Sequence, residues 1–233
     1  MSVISIDSEQ AVGILCLRIQ ALLNRAKRSD RRILIALSGV PGSGKTTIAA
    51  AVLRALPSYG IENAQVVPMD GFHYPKAVLA TFEDPDMAFH RRGAPFTFDA
   101  DAFVKIVVAL RNTPVTTVDA PNLAIRAPSF DHAVKDPVPD DIEILSTTKV
   151  VIIEGNYTLL DQPPWRKIAK LVDDRWFVDV PPEIAKERLI ARHLRAGIET
   201  SREAAAQRAE ENDIPNGALI RSHLIEPDVR IFN

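Results

Sequence analysis

Gly39-Val40-Pro41-Gly42-Ser43-Gly44-Lys45-Thr46 decides how this 233-residue chain is read. It fits G-x-x-x-x-G-K-[ST] at every fixed position. Ile33-Leu34-Ile35-Ala36-Leu37 before it is an apolar run of strand length, and Thr46 to Leu56 after it holds no Gly or Pro and reads as a helix. Strand, glycine-rich loop and helix together specify a phosphate-binding loop. Gly39, Gly42 and Gly44 let backbone N–H groups close around a phosphate without a Cβ in the way, with Pro41 and Ser43 between them. The helix beginning at Lys45, Thr46 and Thr47 points its N-terminus at the same anion. Lys45 supplies a charge for the β- and γ-phosphates, and the Thr46 hydroxyl is suited to Mg²⁺.

The rest of the chain alternates in the same way. A helix is expected over residues 8–28, with Val12, Leu15, Ile19, Leu22 and Leu23 at helical spacing and Asp7 or Ser8 as cap. Gln65 to Asp70 reads as a short strand ending in a carboxylate. A helix is expected near residues 86–91, and another from Asp99 to about Arg111 with Phe103, Ile106, Val107 and Leu110 as its stripe. Val115 to Asp119 reads as a strand. Residues 120–148, with Pro121, Pro128, Pro137 and Pro139, read as an extended loop. Lys149 to Gly155 reads as a central buried strand. Then come a helix from Pro163 to Val172, a strand from Arg175 to Val180, a helix from Pro182 to about Ala196, and one from a Thr200-to-Glu203 capping box to about Asn212. Pro215 to Ile225 is expected to be helical and Val229 to Ile231 to form an edge strand. The expected class is α/β: a three-layer P-loop fold with a mainly parallel sheet, helices on both faces and a small helical lid over about 188–213, all one domain spanning 1–233.

Composition narrows the classes of function. Apolar residues make up 46% and charged residues 25%, which suits a core-forming domain. The net charge of −2 gives no case for a nucleic-acid partner. The cluster Arg25, Lys27, Arg28, Arg31 and Arg32 reads as a solvated cap on the first helix. Cys16 is the only cysteine, and Leu15 and Leu17 beside it suggest a buried thiol in a reducing compartment. No apolar run has transmembrane length, and residues 1–10 lack a basic leader. The expectation is a soluble cytoplasmic monomer or homodimer with no membrane segment.

Ligands of parallel sheets sit at the carboxyl ends of the strands. Asp70 and Glu154 each end an apolar run and precede a glycine. If their strands flank the loop strand, both carboxylates face the phosphate site. Asp70 is assigned the proton-accepting role and Glu154 the metal side, with the exchanged assignment open. Arg188, Arg192 and Arg195 fall at i, i+4, i+7 and share a helical face suited to clamping phosphates, Arg192 foremost. Asn212 and Asp213 are weaker candidates for contact with the nucleotide base. His73 and Tyr74 follow Asp70, and Arg91 and Arg92 precede Gly93. Together with Phe130, Asp131, His132 and Asn156 they are candidates for the acceptor pocket. No His/Cys spacing suits a metal cluster, and no G-x-S-x-G elbow is present.

The phosphate loop, Val67-Pro68-Met69-Asp70-Gly71-Phe72-His73, Arg92-Gly93-Ala94-Pro95 with Phe98-Asp99, and Ile152-Ile153-Glu154-Gly155-Asn156-Tyr157 resemble the phosphoribulokinase/uridine kinase superfamily from about residue 30 onward. The Asp70–Pro75 stretch is similar to pantothenate kinases, and the overall pattern to fructose-transport-associated or nucleoside-kinase-like members. The resemblance implies ATP, Mg²⁺, a mobile lid bearing Arg192, Asp70 as catalytic aspartate, and a small-molecule hydroxyl acceptor: a nucleoside, a sugar or a pantothenate-like metabolite. Two other classes compete. A GTPase-like switch or ATPase module expects N-K-x-D and D-x-x-G, which are absent. A nucleotide-binding module without turnover sits poorly with an intact loop, Asp70 and Glu154.

Overall fold

Val and Ile runs separated by helical stripes fold into a sheet covered on both faces. The computed structural model describes residues 3–26 and 30–233. The chain begins with β1 (Ile4–Asp7), α1 (Ser8–Arg25), β2 (Ile33–Gly39), α2 (Lys45–Ala55) and β3 (Ala64–Pro68). Three helices follow: α3 (Lys76–Leu79), α4 (Pro85–His90) and α5 (Ala100–Asn112). A hairpin of β4 (Ile125–Asp131) and β5 (Asp136–Ile144) precedes β6 (Val150–Glu154) and β7 (Asp174–Asp179). The chain closes with α6 (Pro182–Arg195), α7 (Arg202–Arg208), α8 (Ile214–Ser222) and β8 (Val229–Phe232).

The six long-range strands run in the order β1-β8-β7-β2-β6-β3, every pair parallel. The strand period of two sorts their side chains. Leu34, Ala36, Val151, Ile153 and Phe177 join Phe103, Val107 and Leu110 of α5 on one face. Ile33, Ile35, Leu37, Val150, Ile152, Trp176 and Val178 join Leu15, Ile19, Ile48 and Val52 of α1 and α2 on the other. Cys16 is buried there, as expected from its neighbours.

Several expectations need correction. Residues 120–148 are not an extended loop but hold the β4–β5 hairpin. A two-stranded ribbon has open edges, so the missing N–H groups of Pro137 and Pro139 cost it little, and Pro128 sits at the register shift between Ala127 and Ser129. Residues 115–119 form no strand; Val115 N–H bonds to Asp30 and Thr116 N–H to Ser146. Val229–Phe232 is a strand but not an edge, because β1 covers it. The segment from Pro163 to Val172 is helical only as a 3-10 stretch, Trp165–Lys170. Ser201 rather than Thr200 caps α7, accepting from Ala204 N–H at 3.1 Å. That helix stops at Arg208 and passes through a π turn, Ala209–Asp213, into α8, which ends at Ser222. α1 ends at Arg25, so the residues 27–28 expected to extend it lie outside the described residues.

The basic cluster divides: Arg25 is exposed in the last turn of α1, as expected of a solvated cap, Lys27 and Arg28 lie outside the described residues, and Arg32 departs from the expectation. Arg32 is 1% exposed and donates to the carbonyls of Thr148, Leu110, Thr113 and Leu145. Burial pulls its pKa down, with Arg111 adding to the effect. Arg31 pairs with Asp173 at 2.7 Å.

Candidate active site

The three strands that matter are neighbours: β2 lies beside β6, and β6 beside β3. Their carboxyl ends therefore bring the phosphate loop, Glu154 and the turn after β3 together. Gly42 and Gly44 hold left-handed φ values of +77° and +87°. The left-handed φ is what calls for glycine at Gly44; a Cβ there would displace only the Asn233 side-chain amide, whose Nδ2 would lie 2.4 Å away. Asn233 uses that space: its Nδ2 donates to the Ser43 carbonyl at 2.7 Å while its backbone N–H bonds to Asp179 O at 3.0 Å. Ser43 Oγ is buried with no partner. An unpaired hydroxyl donor inside a glycine cradle at the start of α2 fits a bound phosphate.

Lys45 and Thr46 open α2. Thr46 Oγ1 donates to Glu154 Oε1 at 3.3 Å. Burial lowers the Lys45 pKa, against the pull of Glu154 and Asp70. Burial raises that of Glu154; Asp70 adds to the rise, and Lys45 and the Thr46 hydrogen bond oppose it. These two hard oxygens are of the kind that would hold a Mg²⁺ ion. Among the described residues there is no cluster of three or more His, Cys, Asp or Glu that would hold a metal alone.

Asp70 sits in a 3-10 turn, Met69–Phe72, just beyond β3 rather than on the strand itself. It lines a cavity of about 420 Å³ together with Pro41, Lys45, Thr46, Glu154 and Arg192. His73, Arg92, Phe98, Phe130, His132 and Asn156 line the same cavity. His73 Nδ1 lies 2.8 Å from the Asp70 carbonyl, so that nitrogen carries the proton and donates. Its ring lies 3.9 Å from the Phe98 centroid and 5.0 Å from that of Phe130. Burial lowers the His73 pKa, and Arg92 and His132 push the same way against Asp70. Arg92 reaches into the hairpin, donating to Lys135 O at 2.6 Å, Asp136 Oδ1 at 2.9 Å and Tyr74 O at 3.2 Å. Its guanidinium lies over the Phe130 ring, and its Nε is buried and unpartnered. Asn156 accepts from Ser38 Oγ through its backbone carbonyl, while its Oδ1 has no partner.

Other expected contacts are not there. The Tyr74 ring packs edge-on against Phe82 and does not line the cavity. Asp131 turns its carboxylate onto the N–H groups of Ala133 and Val134, which shapes the hairpin tip and depresses its pKa. Thr47 is exposed on the first turn of α2, outside the cavity lining. The three arginines of α6 separate: Arg188 reaches the Gly42 carbonyl at 3.5 Å, Arg192 lines the cavity, and Arg195 is exposed away from it. Asn212 and Asp213 line the cavity. Asn212 clasps Arg91 Nε at 3.1 Å and the Arg92 carbonyl at 2.9 Å. Arg91 also donates to Asn216, so it holds the turn and does not line the cavity.

Sequence reasoning missed His193. It is 3% exposed, its Nε2 lies 2.8 Å from Asp213 Oδ2, and it lines the cavity beside Arg192. Ala185, Leu189 and His193 form one buried stripe of α6, which was the available signal. Lys135, Arg208 and Asn216 also line the cavity without having been foreseen. The π turn that aims Asn212 and Asp213 inward leaves no periodic trace in sequence.

A phosphate loop on the central strand, with a carboxylate beside its threonine and a second carboxylate at a neighbouring strand end, defines a P-loop kinase, a phosphotransferase that uses ATP. The phosphoribulokinase / uridine kinase family model matches residues 34–197, and the chain belongs to that family. It is 38% identical over 212 residues to "Putative uridine kinase C227.14" of Schizosaccharomyces pombe, covering 89% of this chain and 87% of that one. It is 35% identical over 203 residues to the ATP-dependent kinase YFH7 of Saccharomyces cerevisiae, covering 76% of this chain and 57% of that one. A crystal structure described as a "putative fructose transport system kinase", from Silicibacter sp. TM1040, aligns with TM-score 0.81 at 33% identity, covering 94% of this chain and 98% of that one. Among the described residues no helix is long and apolar enough to cross a membrane.

Proposed function

We propose that this kinase moves the γ-phosphate of Mg-ATP to a hydroxyl of a small metabolite: a nucleoside, a sugar or a pantothenate-like alcohol. The observation that carries this is the convergence of Lys45, Thr46, Glu154 and Asp70 on one cavity of about 420 Å³, whose lining also holds aromatic and polar side chains. A switch module has no use for such a chamber opposite its phosphate loop.

Each residue has a distinct task. The loop amides and Lys45 hold the phosphates. Thr46 and Glu154 would supply oxygen ligands to a Mg²⁺ ion, which would neutralise phosphate charge during transfer. Asp70 accepts the proton of the attacking hydroxyl, and its exposed carboxylate is free to approach that group. Arg192 is held 3.7 Å from Asp213 and places positive charge where the transferred group passes. Residues 188–213 act as a lid and contribute Arg192, His193, Ala196 and Ile198 to the cavity lining.

Purified protein with Mg-ATP is screened for ADP release against nucleosides, sugars, pantothenate and glycerate. Asp70→Asn lowers acceptor-dependent kcat by about 10²–10⁴-fold while ATP still binds. Unchanged turnover in that variant removes Asp70 as the base. ADP release that no acceptor stimulates returns the chain to an ATPase or regulatory module.

A further inference from the structure

The cations lining the cavity are matched by carboxylates, with one exception. Arg92 pairs with Asp136 at 2.9 Å, Arg192 with Asp213 at 3.7 Å and Arg208 with Glu199 at 3.7 Å. Lys45 lies in the field of Glu154 and Asp70. Lys135 has no carboxylate partner among the described residues. Its ammonium donates to the Gly197 carbonyl at 3.2 Å, which leaves two of its three donors unused.

The hairpin tip holds this lysine firmly in place. Lys135 has a left-handed backbone, φ +60°, which residues with a Cβ seldom adopt. Its N–H bonds to Asp131 O at 2.7 Å, and its carbonyl accepts from Arg92 at 2.6 Å. The Val134 carbonyl next to it accepts from Lys76 Nζ at 2.6 Å. Such backbone strain is retained where the surroundings over-determine it, as they do here. Around it stand His132 and the Arg92 guanidinium with its buried, unpartnered Nε–H. The acids of the hairpin tip are engaged elsewhere: Asp136 pairs with Arg92, and Asp131 accepts from the N–H groups of Ala133 and Val134. The cavity therefore has two positive poles. Lys45 and Arg192 serve the donor end, and the uncompensated pole is at Lys135.

We propose that the acceptor carries an anionic group, carboxylate or phosphate, that seats against Lys135 while its hydroxyl faces Asp70. This rests on the kinase reading above. Charge at one end and a hydroxyl at the other orient such a molecule between the hairpin tip and the phosphate loop. A neutral acceptor leaves the lysine without a counter-charge in a half-enclosed site.

Matched pairs test this: glycerol and glycerate, pantothenyl alcohol and pantothenate, ribose and ribose 5-phosphate, uridine and UMP. The charged member of at least one pair is expected to give kcat/KM about tenfold higher than its neutral partner. The carboxylate and phosphate arms tell the two anions apart. Lys135→Met, which keeps length and the same backbone demand, raises KM for that acceptor about tenfold with kcat and the KM for ATP nearly unchanged. Lys135→Arg restores it, and added salt weakens the charged acceptor in the parental enzyme more than in Lys135→Met. Neutral members used equally well, or a Lys135→Met enzyme with unaltered KM, overturn the proposal and leave the kinase standing. ADP release stimulated by no member of any pair overturns the kinase reading and this proposal with it.

Discussion

Gly71→Ala tests whether the hairpin and the Asp70 turn are in the contact described. A Cβ at residue 71 would lie 2.1 Å from the Pro128 carbonyl oxygen, 2.6 Å from its carbon and 3.1 Å from Ser129 N. Gly71 is not in the left-handed region, so the cost is purely steric. A carbon–oxygen contact settles near about 3.3 Å, so turn and hairpin must separate by about 1 Å. Both partners are backbone, and no rotamer can relieve the clash. Overpacking of this kind costs about 1–3 kcal/mol, and each kcal/mol lowers Tm by about 2–4 °C in a domain of this size. Misplacing a catalytic group by about 1 Å costs about 10²-fold in rate. Acceptor-dependent kcat/KM should therefore fall about a hundredfold, while ATP binding, measured by titration with a fluorescent ATP analogue, changes little because the phosphate loop is untouched. A Gly71→Ala enzyme with parental kcat/KM and parental Tm would refute the argument that this contact sets the position of Asp70.

Glu154→Gln should abolish Mg²⁺-dependent turnover yet stabilise the ligand-free protein at neutral pH. The folded-state pKa of Glu154 is raised, so the charged form is disfavoured on folding; the gain appears as pH rises above the ordinary glutamate range and vanishes at acid pH, which Tm measured across pH will show. Arg32→Leu strips donors from four carbonyls, the bonds to Thr148 and Leu110 being buried, and should cost about 3 kcal/mol, read by urea unfolding. Asn233→Ala removes the hydrogen bond to Ser43 O; losing about 1 kcal/mol of loop restraint should raise the KM for ATP about fivefold with little change in kcat.

The donor half of the site was legible because its chemistry dictates local sequence. Gly42, Gly44, Lys45 and Thr46 are demanded by backbone conformation and charge at fixed spacing, and the all-apolar run at Val150–Ile153 can only be an inner strand. The acceptor half is assembled from separate segments, and sequence adjacency misleads there. Tyr74 and Asp131 stand next to His73, Phe130 and His132 in sequence, yet one ring packs on Phe82 and one carboxylate folds onto its own turn. Each proline of residues 120–148 reads locally as a break, and only the open edges of a two-stranded ribbon make them compatible with pairing. His193 falls on the buried stripe of α6 like any core position, and its partner Asp213 arrives through a π turn twenty residues later.

The sheet order has a consequence for how such a protein can change. The triphosphate cradle grows from β2, which is braced by a strand on each side, whereas Asp70 follows β3 at the sheet's outer margin and the hairpin lies outside the sheet altogether. Alterations at residues 131–136 can accumulate without disturbing the strands that carry ATP. The base of the ribbon is tied to the sheet, because Ile125, Ala127 and Ile144 share a core with Leu34 and Val151, so the freedom to vary is confined to the tip that projects beyond it.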